Sequence, residues 1–152
     1  CIALVKTKKV KLFTWGSLQG KNPLEDLTNS LTYKPVNSMI SASQPKEIVV
    51  EDADRIVKVI AGHGVMGFIK LKAQILNENC IREAFLFGFG GYGQLGFEFK
   101  DENKNCEYFP VPRRVDKLKG KDIIDVSIGS QHTLFLVKQE GKNVVYFSGV
   151  RD

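Results

Sequence analysis

One stretch of this sequence recurs, in type, three times. Leu86-Phe87-Gly88-Phe89-Gly90 returns as Leu12-Phe13-Thr14-Trp15-Gly16 and as Val145-Tyr146-Phe147-Ser148-Gly149. A second stretch, Ile56-Val57-Lys58-Val59-Ile60-Ala61-Gly62, returns as Ile123-Ile124-Asp125-Val126-Ser127-Ile128-Gly129. Recurrence constrains the fold before any single residue is interpreted, because a repeat unit cannot bury its apolar face alone and must stack on its neighbours.

The arithmetic of the repeat shows where it is interrupted. The glycines closing the first stretch lie 90 − 16 = 74 and 149 − 90 = 59 residues apart. The second stretch keeps an offset of 67, which pairs Pro45 with Pro112, Ile56 with Ile123, Gly62 with Gly129 and Phe68 with Phe135. The unequal periods therefore place insertions between Gly16 and Pro45 and between Lys70 and Phe85, in stretches where loops lie outside a shared core. Ile2-Ala3-Leu4-Val5-Lys6 matches Leu134-Phe135-Leu136-Val137-Lys138, and no Met stands first, so the chain reads as a piece of a longer array.

The apolar runs have the length and composition of strands. They are Lys11–Trp15, Glu47–Val50, Arg55–Ile60, Val65–Leu71, Phe85–Phe89, Asp122–Ile128, Thr133–Lys138 and Val144–Ser148. Each is short, rich in Val, Ile and Phe, and most are bounded by Gly, Asn, Lys or Pro. Gln139–Asn143 and Thr7–Lys9 read as hairpin turns. Only Ala73–Glu83 has a helical pattern. About four strands per ~60-residue unit, with almost no helix, point to an all-β array of propeller blades.

Gly88-Phe89-Gly90-Gly91-Tyr92-Gly93 is formally a G-x-G-x-x-G. A dinucleotide site needs a helix next, whose N-terminal N–H groups meet the pyrophosphate. Gln94-Leu95-Gly96-Phe97-Glu98-Phe99 offers none, and neither an H-R-D nor a D-F-G follows to support a kinase loop. The glycines read as tight-turn residues, and no cofactor is expected. Cys1, Cys80 and Cys106 are odd in number and not at metal-ligand spacing, so reduced thiols in an intracellular protein, nuclear or cytoplasmic, are expected and no metal site is. No apolar run approaches the ~18 residues of a membrane span.

The net charge is +5. Lys6, Lys8, Lys9 and Lys11 cluster, as do Arg113, Arg114, Lys117, Lys119 and Lys121. Such clusters suit solvated turns or a surface for nucleic acid, chromatin or an acidic partner. Glu98, Asp101, Glu102 and Glu107 interrupt them in sequence, which leaves the nucleic-acid reading without support.

Gly88-x-Gly90 with Gly93-Gln94-Leu95-Gly96, then Pro112-x-x-Val115, then Ile123-x-x-Val126-x-x-Gly129-x-x-His132-Thr133-x-x-Leu136, closed by Val145-Tyr146-x-x-Gly149, resembles a repeat of the regulator-of-chromosome-condensation family. The resemblance covers nearly the whole chain. Residues 1–10 end a preceding repeat, 11–84 form a diverged repeat with an inserted loop at 17–44, 85–143 form a well-matched repeat, and 144–152 open the next. It implies a partial β-propeller, an arc of about two to three antiparallel blades from a seven-bladed parent whose remaining blades would be its neighbours. The diverged repeat keeps Trp15, Gly16 and Gly62, but Ser17-Leu18-Gln19-Gly20 replaces G-Q-L-G and Val65 stands where the later repeat has His132. In the family this His belongs to the blade frame, and no serine or cysteine nucleophile is tied to it here.

No catalytic residue is assigned. The resemblance implies a non-catalytic protein-interaction propeller. The alternatives are a guanine-nucleotide exchange factor for a Ran-like small GTPase and a propeller module of a larger enzyme such as a HECT-type ubiquitin ligase. Function on such a frame lives in loops rather than in the fold.

Overall fold

The computed structural model describes residues 1–6, 9–16, 42–72, 80–97 and 108–150, and all structural statements refer to these. Ten strands follow in chain order: β1 (Ile2–Lys6), β2 (Val10–Gly16), β3 (Ala42–Ile48), β4 (Ile56–Ala61), β5 (Val65–Leu71), β6 (Arg82–Phe89), β7 (Tyr108–Arg114), β8 (Asp122–Ile128), β9 (His132–Gln139) and β10 (Lys142–Gly149). Short 3-10 turns at Ala53–Arg55 and Asp116–Leu118 precede β4 and β8. No helix among the described residues is long and apolar enough to cross a membrane.

The strands form three antiparallel meanders. The first sheet is β1-β2-β3, the middle sheet β4-β5-β6-β7 and the last sheet β8-β9-β10. This is the all-β, partial-propeller architecture that the repeat requires. The sequence repeat does not coincide with a sheet, however. The unit expected at 11–84 would hold most of β2, with β3, in the first sheet and β4 and β5 in the middle one, and the unit expected at 85–143 would hold most of β6, with β7, in the middle sheet and β8 and β9 in the last. With those bounds each unit would tie two neighbouring sheets together covalently.

The middle sheet is buried on both faces, and its alternation explains how. Val65 and Ile69 of β5, with Ala84 and Leu86 of β6, face the last sheet and meet Ile123, Val126, Phe135 and Val137. Met66 and Phe68, with Phe85 and Phe87, face the first sheet, where Ile2, Leu4, Leu12 and Ile48 pack. Phe68 and Phe85 are cross-strand partners whose rings stack at 5.1 Å. A strand buried on both faces reads as a continuous apolar run, which is why Val65–Ile69 lacks polar alternation. Gly67 is dictated by packing there: a Cβ would lie 2.3 Å from the Phe85 carbonyl oxygen.

Even the irregularities repeat. β4 carries a bulge between Ile56 and Lys58, and β8 carries one between Ile123 and Asp125, 67 residues on. Val65 pairs with Gly88, and His132 pairs with Gly149. Both glycines hold positive φ, +114° and +121°. The Phe89 N–H donates to the Gly64 carbonyl at 2.8 Å, and the Val150 N–H to the Gln131 carbonyl at 3.2 Å. Gly88, not Gly90, is therefore the structural counterpart of Gly149, which corrects the string match by two residues. A shift of two keeps every side chain on its face, so the apolar pattern tolerates either register.

Three other sequence expectations change. β3 begins at Ala42, so the inserted loop expected at 17–44 loses its last three residues to a strand. Arg82 and Glu83, placed in a helix by their pattern, open β6; residues 73–79 of that segment lie outside the described residues. β7 was not expected, because Pro110 and Pro112 interrupt its pattern. It lies at the edge of its sheet, where a missing N–H costs nothing on the solvent side.

Candidate interaction surface

The glycine-rich segment leaves β6 and folds into consecutive turns. The Gly93 N–H donates to the Gly90 carbonyl at 2.8 Å and the Gly96 N–H to the Gly93 carbonyl at 3.0 Å. Gly93 and Gly96 adopt φ of +75° and +68°, which glycine reaches without a Cβ clash. Gln94 is fully buried, and its side-chain Oε1 accepts from the Tyr92 N–H at 2.9 Å. Leu95 and Phe97 enter the core between the middle and last sheets. Ser148 on β10 donates from Oγ to the Gly93 carbonyl at 2.7 Å, and Gly96 sits close against Val115 and Ser148. The segment is a wedge between two sheets. The Gly93 and Gly96 N–H groups are spent within it, on the Gly90 and Gly93 carbonyls.

His132 is placed by the next tight turn. The Gly129 N–H donates to the His132 carbonyl at 2.8 Å, and the imidazole folds back so that a Cβ on Gly129 would lie 2.6 Å from it. The ring stacks on Phe147 at 5.8 Å. Gly62 makes the same turn through its N–H to the Val65 carbonyl at 2.9 Å. Thr133 is fully buried and its hydroxyl has no hydrogen-bond partner. Trp15 lies half-buried on β2, its backbone bonded to that of Cys1. Pro112 is in β7. The motif residues Gly88, Gly90, Gly93, Gln94, Leu95 and Gly96 come together at one end of the middle sheet. Gly129, His132, Thr133 and Gly149 come together at the corresponding end of the last.

Polar clamps that no motif announced join the middle and last sheets. Arg82 grips Asp122 through Nε at 2.8 Å, a terminal guanidinium nitrogen at 2.7 Å and its backbone N–H at 3.0 Å. The Arg82 hydrogen bond holds the Asp122 carboxyl below the usual carboxylate range, and the same contact raises Arg82. Lys58 meets Asp125 at 2.5 Å and lowers its carboxyl too. These two occupy the same repeat position, 125 − 58 = 67, and that offset was a usable signal. The 40-residue separation of Arg82 and Asp122 carries no such signal.

The second basic cluster is largely absorbed by the fold. Arg113 lies over the rings of Phe97 and Phe109 at 5.0 and 5.4 Å. Arg114 bonds Asp116 and Glu83, and Asp116 is the main cause of its raised pKa. Lys121 donates to Gln139 and lies over Tyr146. Lys117 and Lys119 are exposed. In the first cluster Lys11 pairs with Glu47 at 2.9 Å. No group of three His, Cys, Asp or Glu side chains among the described residues could hold a metal.

Apolar side chains also stand on the outer faces of the last and first sheets. On the last sheet Leu134, Val145 and Phe147 are exposed at 38, 60 and 36%. They stand at the repeat positions of Gly67, Ala84 and Leu86, which the middle sheet buries against the last. On the first sheet Ala3, Val5, Phe13 and Trp15 share the face turned away from the middle sheet with the Lys11–Glu47 ion pair.

Comparison with known proteins agrees with this geometry. Residues 83–136 match the model of the regulator of chromosome condensation (RCC1) repeat. Two human relatives are the probable E3 ubiquitin-protein ligase HERC3, 36% identical over 67 residues, and the probable E3 ubiquitin-protein ligase HERC4, 38% identical over 58. These alignments cover 44 and 38% of this chain, which spans about 6 and 5% of the length of those relatives. The matched segment runs from β6 into β9 and so crosses from the middle sheet to the last. Residues 83–136 are thus similar to a repeat of the regulator of chromosome condensation family.

Proposed function

We propose that the chain is a non-catalytic, intracellular protein-interaction module, a stack of propeller sheets whose turns and inserted loops meet a protein partner. The carrying observation is where the repeat's chemistry goes. The glycine turn wedges two sheets, His132 stacks on Phe147 within its own sheet, and Arg82 and Lys58 clamp carboxylates across an inter-sheet seam. The repeated residues build the frame, and recognition falls to turn side chains that differ between the units. Lys117 and Lys119, exposed beside β8, are the first turn residues to test.

The test compares turn variants with the unmodified chain as baits. Lys117→Glu with Lys119→Glu should lose a protein partner while the melting temperature stays within about 2 °C, as for a surface change. Retention of no protein above a denatured bait would contradict the proposal. So would retention of nucleic acid alone, with binding that collapses as salt rises.

A second reading is a module within a larger ubiquitin ligase, favoured by the names of the two relatives. Guanine-nucleotide exchange on a Ran-like GTPase is the third, since an exchange factor acts by differential binding rather than covalent chemistry. A GDP-release assay separates it: the interaction reading expects no acceleration at micromolar chain.

A further inference from the structure

We infer that the turn between β7 and β8 is a docking site for an acidic protein segment, which deepens the interaction reading above and rests on it. The turn spans the seam between the middle and last sheets, and both of those sheets belong to the chain. A repeat stacked on either outer sheet would meet a sheet face and not this turn.

The turn is held in place from below. Val115 and Leu118 are buried in the core between the two sheets. The N–H groups of Leu118, Lys119 and Lys121 donate to the carbonyls of Val115, Asp116 and Leu118 at 3.1, 3.0 and 3.1 Å, respectively. Lys117 and Lys119 flank buried Leu118 and are exposed. Arg113 is exposed above the rings of Phe97 and Phe109, and Lys121 lies over Tyr146. A ring face orients a cation without cancelling its charge, whereas a carboxylate cancels it. The neighbouring carboxylates are engaged by other arginines: Arg114 holds Glu83 and Asp116, and Arg82 holds Asp122. Among the described residues no carboxylate lies within ion-pair distance of Arg113, Lys117, Lys119 or Lys121.

The frame does not demand this charge. The turn between β3 and β4 occupies the same repeat position 67 residues earlier and also carries a short 3-10 turn. Residues 113–121 hold five cations against Asp116. Residues 46–54 hold Lys46 against four carboxylates, Glu47, Glu51, Asp52 and Asp54. Asp52 stands at the position of Lys119, and Asp54 at that of Lys121. One frame therefore carries opposite charge at adjacent seams, and surface charge of this kind selects partners. The contrast also selects the class of partner. A nucleic-acid duplex, with a phosphate charge every ~1.7 Å, would run on to the acidic turn about one sheet spacing away, ~10 Å. A short acidic segment ends before it.

Fluorescence anisotropy with the full chain tests this, using labelled octaglutamate, octaglutamine and a short DNA duplex as probes. Octaglutamate should bind at about 50 mM salt and weaken toward about 200 mM, and octaglutamine should not bind. Lys117→Gln with Lys119→Gln should weaken octaglutamate about tenfold while Tm stays within about 2 °C. Arg113→Gln should weaken it about threefold. Lys6→Gln with Lys46→Gln removes the same charge from exposed sites off the turn and should change binding less than about twofold. Absence of octaglutamate binding, equal losses in the two lysine pairs, unchanged affinity in Arg113→Gln, or tighter binding of the duplex would each overturn the inference. Retention of a protein by the unmodified bait without octaglutamate binding would overturn this inference alone and leave the interaction reading standing.

Discussion

Alanine at Gly88 and alanine at Gly93 are the same chemical change in the same turn, yet they should differ several-fold in cost. Gly88 has φ +114°, and a Cβ there would lie 2.3 Å from the Gly64 carbonyl oxygen and 3.1 Å from the Val65 Cα. Ordinary contact begins near 3.4 Å, so that carbonyl must recede by about 1 Å. It also accepts the Phe89 N–H at 2.8 Å, a bond worth about 1 kcal/mol net. Adding the ~1–2 kcal/mol for a side chain at positive φ gives roughly 3 kcal/mol for Gly88→Ala. Gly93 has φ +75° with nothing within 4 Å of an added Cβ, so Gly93→Ala bears only the backbone term of about 1 kcal/mol. In a chain of this size 1 kcal/mol moves Tm by about 2–4 °C, which predicts drops of roughly 6–12 °C and 2–4 °C. Paired thermal melts by circular dichroism, checked by urea titration, read both. Equal losses would refute the assignment of Gly88 as the close-approach glycine, and a larger loss at Gly93 would point back to Gly90–Gly93 as the conserved geometry of the turn.

Asp122→Asn should destabilise the chain by about 1–3 kcal/mol at pH 7, the range for a charge-assisted pair that leaves a part-buried Arg82 behind. The folded-state carboxyl is depressed, so its contribution is present above the ordinary Asp value near ~4 and is lost as pH falls through the lower folded value. The gap between urea titrations of the two proteins should therefore narrow as pH falls below about 4; a gap that does not change with pH would contradict the linkage. Thr133→Val removes a buried hydroxyl with no partner and should leave stability unchanged or raise it by about 1 kcal/mol. Tyr108→Phe should behave likewise, since burial alone pushes that phenol up to about 12 and its hydroxyl is unpartnered. A clear loss in either melt would show a partner for that hydroxyl.

Much of the architecture was legible because stacking leaves a periodic trace. The 67-residue offset found β4 with β8 and β5 with β9, and it carried the Lys58–Asp125 clamp unnoticed. What the trace could not fix was anything invariant to a two-residue slide. Gly90 was matched to Gly149 because strand faces repeat every second residue, and only backbone hydrogen bonds and φ distinguish Gly88. β7 escaped because its prolines are forbidden in a central strand and allowed at an edge, a distinction that depends on neighbours. Arg82 with Asp122 escaped because their meeting is set by how two sheets pack, not by spacing along either strand. The glycine N–H groups of Gly93 and Gly96 close on their own turn, a geometry that the glycine spacing alone does not specify.

The central claim is that one sequence repeat spans two sheets, so that the middle sheet is enclosed on both faces. Native-state hydrogen exchange tests it most directly, because protection follows burial and cooperative opening. The slowest amides should lie in Val65–Leu71 and Arg82–Phe89, the strands packed from both sides, with Lys142–Gly149 exchanging faster at the edge of its sheet. Equal protection of Lys142–Gly149 and Val65–Leu71 in a chain shown to be monomeric, or fast exchange in Val65–Leu71, would contradict it.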